Sequence, residues 1–100
     1  MTFDRHQLQA VRVRQPQHVV HREFPTETVV LNLETGTYYG LNPTGGQMLD
    51  ELNRAASVAA AAARLATAYD QPADVVERDV FSFCTGLIER GLLTVEPAVR

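Results

Sequence analysis

The apolar residues of this 100-residue chain change their spacing once, at Asn42-Pro43, and that change divides a strand-forming first half from a helical second half. Upstream the period is two. Residues 11–14 alternate apolar with charged, residues 19–23 form a short extended candidate, and residues 28–33 (TVVLNL) put Val29, Leu31 and Leu33 on one face. Glu34-Thr35-Gly36 then supplies a turn in which Gly36 can take positive φ. Residues 37–42 (TYYGLN) resume extension with Tyr39 and Leu41 on one face and Tyr38 on the other, so the two segments make a β-hairpin.

Downstream the spacing is helical. Asn42 is a capping residue and Pro43 suits the first helical position, after which Met48, Leu49 and Leu52 supply the apolar side of a short helix that ends over residues 53–56. Ser57 caps a second helix running to about Tyr69, whose alanine run favours helix and lets a neighbouring helix approach closely. After the break at Asp70-Gln71-Pro72, a third helix runs from about Pro72 to Arg90. It carries Val76, Val80, Phe83 and Leu87 as its core stripe and stops before Gly91. Residues 92–95 either add a last extended piece or cover the core. The order predicts an α+β, winged-helix-like domain with a small antiparallel sheet followed by three helices.

One domain is expected, because a chain of this length buries too little surface to support two cores. Apolar residues make up 45% and charged residues 21%, an ordinary globular balance. Residues 1–10 and 96–100 show no periodicity and read as loose tails around a domain at 11–95. A formal net charge of −3 disfavours nucleic acid as a partner. The single cysteine, Cys84, excludes an internal disulfide and suits a reducing compartment; with no signal peptide or membrane span in the sequence, the cytoplasm is the expected location.

Three segments taken together, VVLNLETGTYYGLNPTGGQMLDEL from Val29, AAARLATAYD from Ala61 and ERDVFSFCTGLIERGLL from Glu77, resemble the PqqD family in order and spacing. Members of that family are recognition elements in the maturation of ribosomally made, modified peptides. The resemblance implies a three-stranded sheet with three helices. It also implies that the leader of a precursor peptide adds as a further strand between the third strand and the third helix. Chemistry is then left to a partner, such as a radical enzyme or a leader-cleaving cysteine protease, and no cofactor is implied.

Strand addition needs a free edge and flanking apolar surface. The candidate edge is Thr37, Tyr38, Tyr39, Gly40, Leu41 and Asn42, which carries no charge and no proline; Gly40 either admits a second backbone or marks a bulge. On the third helix the core stripe spans only about 60°, while Cys84, Ile88 and Phe81 extend the apolar arc to about 140° from Val76. Phe81, Cys84 and Ile88 are therefore the candidate groove wall, against the blander alternative that they are buried under a neighbouring helix or a dimer partner. Tyr38 is the tyrosine expected to be exposed. Glu77 and Asp79 are candidates to meet a basic leader residue, although acids on a helix surface are usually only solvated.

Other functions find less support. A DNA-reading third helix would bring Asp74, Glu77, Asp79 and Glu89 to the phosphates against only Arg78 and Arg90. Catalysis lacks a nucleophile with a base and an orienting group. His18 and His21 point to opposite sides of an extended segment, which disfavours a shared metal, and Gly45-Gly46 lacks any phosphate-loop spacing. Self-pairing on the same free edge, giving a homodimer, is the remaining alternative.

Overall fold

A computed structural model describes residues 4–97. The elements run α1 (Arg5–Gln9), β1 (Val11–Arg14), β2 (Val19–Glu23), β3 (Thr28–Asn32), β4 (Tyr38–Leu41), α2 (Pro43–Arg54), α3 (Val58–Tyr69), α4 (Ala73–Glu89) and β5 (Thr94–Pro97). The architecture is α+β, with an antiparallel sheet ordered β2-β3-β4 followed by the three long helices; β1 and β5 form a separate antiparallel pair. No helix among the described residues is long and apolar enough to cross a membrane.

Local chemistry sets most boundaries. Asn32 Oδ1 accepts from the Glu34 and Thr35 N–H groups, and Gly36 takes φ +75°, so the hairpin turn is closed by a side chain and opened by a glycine. Asn42 Oδ1 accepts from the Gly45 N–H at 2.8 Å and starts α2. Ser57 Oγ accepts from the Ala60 N–H at 3.1 Å and starts α3, and Gly91 at φ +74° ends the turn after α4.

The helices enclose one core. Leu49 and Leu52 of α2, Ala61, Ala62 and Leu65 of α3, and Val76, Val80, Cys84 and Leu87 of α4 are all buried. The alanine run acts as a spacer, since Ala61 and Ala62 have almost no exposed surface where α3 meets its neighbours. Gly45 and Gly46 are packing glycines. A Cβ on Gly46 would stand 2.4 Å from Thr28 Oγ1, so this glycine lets α2 close on the sheet.

The structure departs from the sequence expectations at both ends. Residues 4–10 were expected in a loose tail, yet Arg5–Gln9 is helical and Leu8 is fully buried in the core. A capping box holds this turn: Asp4 accepts from the Gln7 N–H, and Gln7 Oε1 accepts from the Asp4 N–H. Five residues with one buried leucine are too short to show a period. At the other end Glu96 and Pro97 were expected to be loose, but they pair with Arg12 and Val11 in the β1–β5 ladder. The remaining expected tail residues, 1–3 and 98–100, lie outside the described residues.

In the sheet the expected grouping of the β3 side chains holds, and the structure adds which face is inside. The buried side of β3 is Thr28, Val30 and Asn32, so the apolar set Val29, Leu31 and Leu33 faces outward, where Leu33 is 57% exposed. Of the two polar residues inside, Asn32 serves the turn through its Oδ1, and Thr28 packs against the bare face of Gly46.

Candidate functional site

The candidate site is the outer edge of β4 and the flank of α4 that faces it. Among the described residues no strand lies beyond β4 in the sheet. The phase of its ladder follows from two bonds: the Asn32 N–H donates to the Thr37 carbonyl at 2.9 Å, while the Leu33 N–H donates away, to the His18 carbonyl at 2.7 Å. Residues 28, 30 and 32 therefore direct their backbone groups toward β4, where they face Leu41, Tyr39 and Thr37. By the same alternation, the N–H and C=O groups of Tyr38 and Gly40 point to the open edge.

This phase sorts the six edge candidates. Tyr38 through Leu41 form a regular strand, and the register Val30↔Tyr39, Val29↔Gly40, Thr28↔Leu41 runs unbroken, so Gly40 is not a bulge. Tyr38 is 71% exposed on the outward face, whereas Tyr39 and Leu41 turn toward the helices and pack against the core. Thr37 belongs to the turn, its N–H donating to Thr35 Oγ1, and the Asn42 side chain is held in the α2 cap.

The helix wall is not the one expected. At about 100° per residue the buried stripe of α4 spans about 80° from Val76 to Cys84, and Ile88 and Phe81 continue past Cys84. Phe83, Arg90 and Gly86 lie on the opposite flank, about 20°, 40° and 80° to the other side of Val76. Contacts identify which flank meets β4. A Cβ on Gly45 would touch Leu41 Cβ at 3.3 Å and Phe83 Cε1 at 3.4 Å, so β4, α2 and α4 converge there. Nearly two turns farther on, Arg90 Cζ stands 5.6 Å from the centre of the Tyr39 ring. Glu77, on the same side of the helix as Phe81 and Ile88, instead accepts a hydrogen bond from Gln9 Nε2 of α1 at 3.1 Å. At Glu77 that side of α4 therefore meets α1. Phe81 and Ile88 are partly buried against the core.

Cys84 is fully buried and cannot line a groove. The apolar arc was real, but tertiary packing placed Cys84 in the deepest stripe and left Phe83 half-buried. Burial pushes its thiol up to about 12, so it stays protonated at neutral pH. Native protein at pH 8 should therefore fail to react with a disulfide reagent such as DTNB on the timescale of an unfolded control. Rapid native labelling would show the thiol to be accessible.

Phe83, Arg90 and Gly45 are the contributors that sequence reasoning missed. Their signal was the i, i+7 spacing of Phe83 and Arg90, with Gly86 between them on the same flank. Elsewhere, His18 Nε2 lies 3.7 Å from Glu34 Oε1, His21 is exposed, and no group of three or more potential metal ligands occurs among the described residues.

The fold and this edge define a winged-helix-like α+β domain with an open strand beside its last long helix. The chain belongs to the family of coenzyme PQQ synthesis protein D, which matches residues 27–93. Among solved structures it is similar to TbiB1 in complex with the TbiA(beta) leader peptide, at 30% identity and a TM-score of 0.69, covering 80% of this chain and 93% of that one. It is also similar to a lasso peptide synthetase B1 complexed with its leader peptide, at 25% identity and a TM-score of 0.74, covering 83% and 98%. No curated protein matches the chain.

Proposed function

We propose that this chain binds the leader segment of a ribosomally synthesised precursor peptide and presents it, without catalysis of its own, to a modifying or leader-cleaving enzyme. The observation that carries this is the kinship, over four-fifths of the chain, to two proteins solved as leader-peptide complexes. The open β4 edge fits it physically. Tyr38 and Gly40 offer unpaired backbone groups, and Tyr39, Leu41, Phe83 and Arg90 flank the position that an added strand takes. A non-catalytic role fits a thiol sealed in the core, where it cannot reach a substrate. DNA reading accords poorly with an acidic α4.

Because one relative is a lasso peptide synthetase component, leaders of lasso-type precursors are the first to test. Fluorescence polarisation with fluorescein-labelled leader halves of precursors encoded beside this chain should give saturable binding, and the unlabelled core halves should not compete. A folded protein, by circular dichroism, that saturates with none of them would contradict the proposal.

A further inference from the structure

The flank of α4 facing β4 is chemically two-ended, and its basic end is held in place. Arg90 is exposed, and its Nη1 donates to the Gly86 carbonyl at 3.2 Å. Its guanidinium also lies over the Tyr39 ring. A Cβ on Gly86 would stand 3.1 Å from that same Nη1, so the glycine makes room for the arginine to fold back across the strand. No carboxylate pairs with Arg90 among the described residues. A planar group with five donors is thus fixed beside the edge with most of its donors unused. At the other end, Leu41 and Phe83 converge on Gly45 and offer hydrocarbon, and the one polar atom beside them, Asn42 Oδ1, is held by the Gly45 N–H.

An added strand would read these two ends with side chains two residues apart. In the antiparallel sheet β2-β3-β4, a guest continuing the pattern runs opposite to β4. Its ladder bonds go to Tyr38 and Gly40, so the guest residues opposite Leu41 and Tyr39 occupy the closer, non-hydrogen-bonded positions. Their side chains point inward with those of Leu41 and Tyr39. The residue opposite Leu41 meets hydrocarbon. The one opposite Tyr39 meets the Arg90 guanidinium.

Resting on the leader-binding proposal, we infer that Arg90 is a specificity-determining residue that selects an acidic guest side chain, in the order apolar, any residue, acidic. The carboxylate takes the free donors of the guanidinium while Gly86 and Tyr39 keep it oriented, and the order of the pattern fixes the direction in which the guest lies.

The test uses the TbiA(beta) leader peptide as a synthetic scaffold, each position replaced in turn by Glu or by Lys, with every peptide titrated against wild type and Arg90→Glu. Wild type should prefer Glu over Lys by about tenfold at one position, two residues after an apolar one, and Arg90→Glu should reverse that preference. Gly86→Ala, which crowds Nη1, should weaken it. If wild type binds the scaffold but Arg90→Glu leaves every Glu/Lys preference unchanged, the role of Arg90 is wrong and leader binding stands. A preferred acid two residues before the apolar position would overturn the stated order. If wild type binds the scaffold but prefers Glu over Lys at no position, this inference falls and leader binding stands.

Discussion

Replacing Gly40 by proline should weaken leader binding by about 100-fold, equivalent to about 2.7 kcal/mol, while leaving the fold in place. The ladder phase is the reason. The Gly40 N–H points to the open edge, away from β3, so proline removes a donor meant for the guest and sets its ring where the guest backbone would pair. Proline is tolerated on such an edge because no bond within the sheet is lost. Tyr39→Pro is a different experiment: the Tyr39 N–H belongs to the β3–β4 ladder, so that variant damages the sheet itself. Polarisation titrations with a leader that binds wild type, alongside thermal melts by circular dichroism, measure the contrast. Binding of Gly40→Pro within about threefold of wild type would remove the β4 edge from the account.

Leu8→Ala should cost about 2–4 kcal/mol of folding stability, the range for deleting most of a buried leucine. Leu8 has no exposed surface, and α1 approaches α3, α4 and β1, so the cavity left behind has walls on several elements that cannot all collapse into it. Urea denaturation should show a lower midpoint with an unchanged slope. A loss below about 0.5 kcal/mol would mean that the segment behaves as the loose tail its sequence suggests.

That segment illustrates what a sequence of this kind discloses. Caps and turn glycines are legible because their chemistry is local: Asn42, Ser57, Gly36 and Gly91 act within a few residues of themselves. The Asp4 to Gln7 spacing was also a local signal, but with a single leucine behind it there was no period to support it. The inward face of β3 was not legible. Val29, Leu31 and Leu33 alternate as a core set should, yet Thr28, Val30 and Asn32 are inside, because Thr28 fits against Gly46 and Asn32 serves the turn.

The candidate site divides in the same way. Its strand was visible, since a charge-free, proline-free extended segment beside a turn announces an edge. Its helix wall was not, because a helical wheel gives the angular order of side chains but not which flank meets the strand. That choice is made by the convergence of Leu41, Gly45 and Phe83, three residues that only the folded chain brings together. Phe81 and Ile88 were a genuine apolar extension on the side away from it, while Cys84 went into the buried stripe.

The central claim is that a leader peptide completes the β4 edge, and amide hydrogen exchange resolved by residue addresses it most directly. In the free protein the Tyr38 and Gly40 amides should exchange fast while the Tyr39 and Leu41 amides, bonded to β3, exchange slowly; a bound leader should slow Tyr38 and Gly40 together. Leader binding that leaves both amides fast, or that slows the opposite edge at β2, would contradict it.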